Sequence, residues 1–475
     1  MTTAEVAQTD LEPTRVASRT YVTRRRASRL DASTMLCILV GLLLLVPSRY
    51  ILPGMSDLGR PSLVMGMLLI AWWLSARATP HLVQPGPQPI RWALLGFTLT
   101  MLISYTVAQL REMTSLEAGG ADRAMLSLAI FAGVALAAAD GIRNWQRLNK
   151  LVTVLVACGA VVAAIGVIEF LFRFDVTRFM VIPGLQQKEE ALGFELRGGD
   201  YRVASTTSHY IELATTLATI LPFALQLAIH PTNPRRRWLA IVASMLIAVG
   251  TVMTISRSGI LAMVIVALML IPVWSWRLRY NMIWVGALMF ACLVVAKPSL
   301  VATFKSLIVD AGGDTSVQAR EQDYPIVWAL VRQHPWLGRG TGTYLPPQYE
   351  ILDNQWLMFL ITNGILGVML FAAMHLTGAI VALQAARRAA TPEIRHLCVG
   401  LAATQVIALA VAATYDSMSF DTYATTVALT LGMCGTVWRL THPAAVIRTA
   451  TPRWFAADGP SAFLRQYIRP ERASS

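Results

Sequence analysis

Two arginines and a few acids stand out from a chain that is otherwise mostly apolar. Arg257 lies in TISRSGILAM, between near-continuous apolar runs from Trp238 to Ile255 and from Gly259 to Trp276. A permanent charge at such a junction is costly beside lipid, so something should face it. A guanidinium is planar, always charged and able to grip phosphate oxygens with two prongs. Arg202 and His209 bracket several hydroxyls in RVASTTSHYIELA. Asp353 and Asn354 stand directly before the run QWLMFLITNGILGVMLF, and Asp416 and Asp421 fall in YDSMSFDTY. A carboxylate or imidazole in such a place could accept a proton from an attacking hydroxyl. Each residue also has a plainer use. Arg202 could snorkel to the interface, a lone histidine is more often structural, and Asp353 or Asn354 could cap a helix.

A long polar stretch, 301–354, contains SVQAREQDYPIVWALVRQHPWLGRGTGTY. Val317, Tyr324, Val327, Trp328 and Val331 recur at helical spacing and predict an amphipathic helix lying against the bundle. Pro325 fits only near its beginning or at a kink. Arg320 and Arg339 are the cations of this stretch that could meet an anion, or they are solvated charges. Gly338, Gly340 and Gly342 alternate. They either turn backbone N–H groups toward an anion or form a tight turn re-entering the membrane. With no βαβ pattern around them they are not a dinucleotide fingerprint.

The elements that must position these residues are membrane helices. Of 475 residues, 55% are hydrophobic and only 14% charged, which points to an all-α, polytopic membrane protein. Twelve apolar runs read as spans: 34–52, 61–77, 90–110, 121–139, 151–172, 211–230, 237–255, 258–276, 280–300, 355–386, 396–414 and 422–440. With the N-terminus in the cytoplasm, 25 of the 40 Lys and Arg and 8 of the 27 acids fall on the cytoplasmic side. That bias accounts for the net charge of +13 and leaves no reason to invoke nucleic acid. The long connections 173–210 and 301–354, with every candidate above, then lie outside. Residues 1–33 and 443–475 read as basic cytoplasmic extensions, the latter carrying SAFLRQYIRP as a membrane-surface segment, and 34–442 as the membrane domain. The first run follows arginines but lacks a cleavage site, so it reads as an uncleaved span. The five cysteines all lie in apolar runs with no metal-like spacing.

Three segments in this order, TISRSGILA, HPWLGRGTGTY and DNQWLMFLITNGILGV, resemble the O-antigen ligase and polymerase family, and RVASTTSHYIELA is similar to its upstream arginine segment. The likeness spans about 200–375. It implies an integral-membrane glycosyltransferase (GT-C-like) fold, with the large outer loop between spans nine and ten. It also implies transfer of glycan from a polyprenyl-pyrophosphate carrier to an acceptor hydroxyl, without metal, nucleotide or other cofactor. By the same resemblance Arg257 and Arg202 would hold the pyrophosphate and Asp353 would be the base, with His209, Asp416 and Asp421 in reserve. Arg320, Arg339, His209, Asn354 and Gly340 would line the substrate. Ligases of the family often carry His-Asn where this chain has Asp353-Asn354, which favours a polymerase over a ligase with a lipid or protein acceptor. Membrane lipids and polysaccharide-assembly proteins are further candidate partners. A small-solute transporter of the inorganic-carbon kind is the alternative of another class. Against it, no internal repeat is visible and Glu169 alone among the acids lies well inside an apolar run.

Overall fold

The computed structural model describes residues 31–442, apart from 56, 79–87, 189–195, 198, 199, 297–314 and 347. The two terminal extensions expected at 1–33 and 443–475 therefore lie almost wholly outside the described residues. Thirteen α-helices dominate the described residues. They are α1 (Ala32–Leu45), α2 (Pro61–Ala78), α3 (Pro89–Gln109), α4 (Ser115–Gly141), α5 (Trp145–Phe172), α6 (Tyr210–Ile229) and α7 (Pro234–Met253). After them come α8 (Arg257–Leu270), α9 (Trp276–Ala296), α10 (Thr315–Gln333), α11 (Gln355–Arg387), α12 (Pro392–Val411) and α13 (Asp421–Thr441). The only described strands are two short antiparallel pairs, β1 (Tyr50–Ile51) with β2 (Gln186–Gln187) and β3 (Leu196–Arg197) with β4 (Asp200–Tyr201).

Local sequence explains the helix ends. Pro47 forbids the helical conformation at Val46, so α1 stops at Leu45 rather than running to 52. A capping box between Thr114 and Glu117 starts α4 six residues ahead of its apolar run. Asn144, Asn233 and Thr391 cap α5, α7 and α12 with their side chains, and Pro234 and Pro392 take the first helical position of α7 and α12.

Among the described residues eight helices are long and apolar enough to cross a membrane, and α1 and α8 are shorter apolar helices. The protein is a multi-pass, all-α membrane protein. α13 falls short of that hydropathy because it meets little lipid. Thr422, Thr426, Thr430 and Thr436 are fully buried in it. Their hydroxyls need not face hydrocarbon: Thr426 bonds back to the Thr422 carbonyl at 2.7 Å and Thr436 reaches the Ala138 carbonyl of α4 at 2.7 Å.

α11 is broken at Gly364, whose φ is +65°. The chain from Pro335 to Gly340 fills the break. Arg339 and Gly340 donate to the Ile361 and Thr362 carbonyls at 2.9 and 3.0 Å, while Ile365 and Leu366 donate to Pro335 and Trp336 at 2.9 and 3.3 Å. Irregular backbone at this depth is tolerated because every one of these groups finds a partner inside protein. The predicted amphipathic helix is present as α10, and Val327 and Val331 pack with Tyr344, Leu352 and Ile361.

The connections split into two ends. At one, the described parts of 46–60 and 173–209 are knitted together with 254–256 and 412–420, as by Arg49–Asp175 at 2.7 Å and Ser48 to the Thr206 carbonyl at 2.8 Å. At the other, Arg147 meets Asp31 at 3.0 Å and Arg91 meets Asp140 at 2.8 Å. Arg202, His209, Arg257, Asp353, Asn354 and Asp416 belong to the first end.

Candidate active site

α7 and α8 form a hairpin with only Thr254, Ile255 and Ser256 between them. Such a short reversal demands a left-handed residue, and Ile255 takes it with φ +51°. For an L-residue this costs about 1–2 kcal/mol, and the full burial of the Ile255 side chain helps to hold it there. Arg257 is the first residue of α8 and half-buried. Ser256 gives no side-chain cap and the first turn holds no acid, so the positive end of the helix adds to the guanidinium charge. α8 lies very close to α6. A Cβ placed on Gly259 would stand 2.7 Å from the Ala214 Cβ.

Arg202 reaches the same turn. Its Nη2 donates to the Ile255 carbonyl at 3.4 Å, and its guanidinium lies over the Tyr210 ring, 3.1 Å from the centroid. The hydroxyls after it are staples. Ser205 bonds to the Val162 carbonyl at 2.8 Å and Thr206 to the Leu44 carbonyl at 2.7 Å, while the backbone N–H of Ser205 donates to buried Glu169 at 2.9 Å. Glu169 thus fastens the arginine's loop to α5. His209 is the N-cap of α6: its Nδ1 accepts from the Ile211 N–H at 3.3 Å and its ring packs on Tyr210 and Phe420.

The connection 412–420 links the start of α8 to the segments that carry the acids. Ser258 donates to the Thr414 hydroxyl at 2.8 Å, next to Arg257. The N–H of Gln355 donates to Ala412 at 2.8 Å, and Met418 donates to the Gln355 side chain at 2.7 Å. Asn354 is the N-cap of α11, accepting from Trp356 and Leu357 at 3.0 and 3.2 Å. Capping therefore falls to Asn354, which leaves Asp353 exposed and outside that duty. Asp416, half-buried in the same connection, has its carboxyl pushed up to about 6 by burial, with the nearby Asp353 charge adding to the effect.

Asp421 is a different case. It pairs with Arg60 at 3.1 Å at the start of α13, a poor setting for a base. Beside it, the fully buried Glu212 accepts from the Thr422 N–H at 2.7 Å and from the N–H and hydroxyl of Ser208 at 2.8 and 2.6 Å. Glu212 ties the start of α6 to the start of α13. Sequence reading passed over it because it looks like an ordinary first-turn acid.

Arg339 and Gly340 lie in a second cluster, and the anion-cradle reading of the glycines gives way to the turn. Arg339 reaches the Tyr349 hydroxyl at 2.6 Å and Glu117 at 3.5 Å, and Arg111 shares that carboxylate at 3.0 Å. The N–H groups of Gly338, Arg339 and Gly340 are all given to carbonyls. Gly340 has φ +127°, and a Cβ on it would stand 2.2 Å from the Ala108 Cβ of α3. Close packing and a left-handed backbone explain these glycines without an anion. Arg320 is in α10, in the part whose side chains fall outside the description. Among the described residues no three His, Cys, Asp or Glu side chains converge to hold a metal.

Residues 242–372 match the family model described as O-antigen ligase. That stretch runs from α7 through Arg257, α10, the glycine turn and Asp353 into the first part of α11, and it bears out the resemblance seen in the motifs. Residues 242–372 are therefore similar to the O-antigen ligase family, whose members are glycosyltransferase-like enzymes acting on glycan and lipid-linked substrates. Arg202, His209 and Asp416 lie outside the matched residues. No curated protein matches the chain.

Proposed function

We propose that the protein is a membrane glycosyltransferase that polymerises polyprenyl-pyrophosphate-linked oligosaccharide on the outer face of the cytoplasmic membrane. One observation carries this reading. Arg202 and Arg257, separated by a loop and two spans in sequence, meet at a single turn that Ser258 and Thr414 tie to the Asp353 and Asp416 segments. Two guanidiniums at one turn, and two carboxyls on the segments tied to it, suit a reaction in which a pyrophosphate leaves and a hydroxyl attacks.

In that reaction the acceptor hydroxyl oxygen bonds to the anomeric carbon of the donor sugar. The bond from that carbon to the pyrophosphate oxygen breaks, and its electron pair stays on the pyrophosphate. The hydroxyl proton passes to the carboxyl pair, with Asp353 as first receiver. Attack opposite to the leaving group inverts the anomeric configuration. The arginines strengthen their hold as charge builds on the departing oxygen, so neither a metal nor a nucleotide has a part. Each such contact is worth about 3–4 kcal/mol of barrier. The charge bias of the connections supports a reading with this end outside the cytoplasm and both termini within it.

Asp353-Asn354 in place of His-Asn favours polymerisation. The family description favours a ligase that moves finished glycan to a lipid or protein acceptor. Product pattern separates the two. Purified protein given a polyprenyl-pyrophosphate oligosaccharide makes carrier-linked ladders if it is a polymerase, and a single transfer to another molecule if it is a ligase. Arg257→Ala and Arg202→Ala should each lower turnover by about 10²–10³-fold in folded protein. Near-normal turnover in both would overturn the pyrophosphate assignment, and solute uptake without transfer would revive a transporter.

A further inference from the structure

An acid in the first turn of a helix ordinarily faces water and favours the positive end of its own helix. Glu212 is instead fully buried, and its carboxylate is given to two other stretches of chain. Oε2 accepts from the N–H of Ser208 at 2.8 Å and from its hydroxyl at 2.6 Å, while Oε1 accepts from the N–H of Thr422 at 2.7 Å. The last bond supplies a partner that α13 lacks locally. Phe420, at the N-cap of α13, has no side-chain oxygen to offer the free N–H groups of the first turn.

The two stretches joined by Glu212 carry opposite sides of the site. Ser208 lies near the end of the loop that begins with Arg202, whose guanidinium rests on the Tyr210 ring of α6. Thr422 follows the connection that carries Asp416. One turn further along the same face of α6, the buried Thr215 and Tyr415 hydroxyls meet at 2.7 Å. Asp416 therefore stands between two attachments to α6, Tyr415 on Thr215 and Thr422 on Glu212, and the Arg202 loop shares the second of them.

We infer that Glu212 is a positioning residue for transfer: its one carboxylate fixes the Arg202 loop and the Asp416 connection to the same turn of α6, and so sets the anion-holding side of the site against the proton-accepting side. The inference rests on the proposed reaction and extends it to a residue buried too deeply to meet substrate.

Glu212→Gln divides the joint. The amide keeps the volume and one acceptor oxygen, and turns an NH2 group toward the donor on its other side. Ser208 offers two donors and Thr422 one, so the oxygen stays with Ser208 and the Thr422 bond is lost. With the full chain in detergent, kcat for transfer should fall by about tenfold, with the affinity for inorganic pyrophosphate unchanged. The rise of kcat/KM through about pH 6 should move toward the ordinary carboxylate range near about 4, because the loosened Asp416 carboxyl gains water. Ser208→Ala keeps the carboxylate and removes a donor from the other side. It should weaken pyrophosphate binding severalfold and leave the pH profile in place. Asp140→Asn is the control for a buried carboxylate that only holds helices together. Asp140 bonds Arg91 at 2.8 Å and Trp73 at 3.0 Å at the opposite end of the bundle, so its variant should melt lower with kcat and pH profile unchanged.

A Glu212→Gln protein that melts lower but keeps the wild-type kcat and pH profile overturns the inference and makes Glu212 a tie like Asp140. If Glu212→Gln does not fold, Ser208→Ala decides, and unchanged pyrophosphate binding overturns the inference. Near-normal transfer by Arg202→Ala and Arg257→Ala overturns the reaction itself, and the inference falls with it. Loss of transfer in those two variants beside a wild-type Glu212→Gln overturns the positioning role alone.

Discussion

Gly259→Ala tests the path from packing to chemistry, because local propensity and tertiary contact predict opposite signs. Within a helix, alanine is favoured over glycine by about 1 kcal/mol. The new Cβ, however, would stand 2.7 Å from the Ala214 Cβ and 3.2 Å from the Thr251 Cγ2. Carbon atoms rest at about 3.5–4.0 Å, so the first turn of α8 must move away from α6 by about 1 Å. Overpacking of this kind costs about 1–3 kcal/mol, which outweighs the propensity gain. Arg257 stands two residues earlier on the same turn, and Ser258 would be pulled from Thr414. A misplacement of about 1 Å lowers turnover by about 10²-fold. Ala214→Gly removes the opposing methyl and leaves the Ala214 Cα at 3.6 Å, an ordinary contact. The exchanged pair, Gly259→Ala with Ala214→Gly, should therefore recover most of the activity. The assay is the transfer rate of the two single variants and the double, with thermal unfolding in detergent beside it. Full activity in Gly259→Ala, or a loss that the second substitution does not relieve, would refute the claim that α6 positions the arginine.

The neighbours Asp353 and Asn354 should separate cleanly. Asn354→Ala removes the acceptor of two N–H groups and should cost about 1 kcal/mol of stability, whereas Asp353→Asn should leave the melting temperature alone and lower transfer by about 10²-fold or more. Asp416 gives a pH dependence. Its carboxyl, held up near 6, must lose its proton before it can accept one, so kcat/KM should climb as pH rises through about 6, and Asp416→Asn should remove that limb. The same raised value means that the folded protein binds the proton more tightly than the unfolded chain. Stability should therefore fall as pH rises from about 4 to about 6, and Asp416→Asn should flatten that melting curve too.

Eight of the twelve expected spans are, among the described residues, helices long and apolar enough to cross a membrane, and they were legible because a helix crossing lipid needs about 20 apolar residues. Their ends were less so. Pro47 and the Thr114–Glu117 box set two of them by local geometry that hydropathy does not register. The arginines were legible as misfits, each a charge next to an apolar run. How each charge is partnered was not legible, because that depends on groups far away in the chain. Arg339 and Asp421 look in sequence like Arg257 and Asp416. Only the folded chain shows Glu117 taking the first and Arg60 taking the second. The hydroxyls of Ser205 and Thr206, which the sequence shows only as lying between Arg202 and His209, hold the loop to α5 and α1.

The motif shared with the O-antigen ligase family divides along the same line. HPWLGRG and LITNGIL look like two separate signatures, yet each satisfies the other's backbone through the exchange around Gly364. A Cβ at Gly364 would stand 2.3 Å from the Trp336 carbonyl carbon, and one at Gly338 would stand 2.3 Å from the Thr362 carbonyl carbon. Both glycines have φ above +60°, so neither position has room or conformation for a side chain. This part of the motif builds a re-entrant corner that brings α10 and the start of α11 together, with Leu352 packed against Val327 and Val331 one residue before Asp353. The glycines therefore act on the acid only by setting where α11 begins. The arginine at the α7–α8 turn owes nothing to that corner; it is placed by Ile255, Gly259 and the Thr414 bond. Two independent frames thus converge on the connection 412–420. Damage to the corner should displace the carboxyl side of the site, and damage to the hairpin should displace the arginine side.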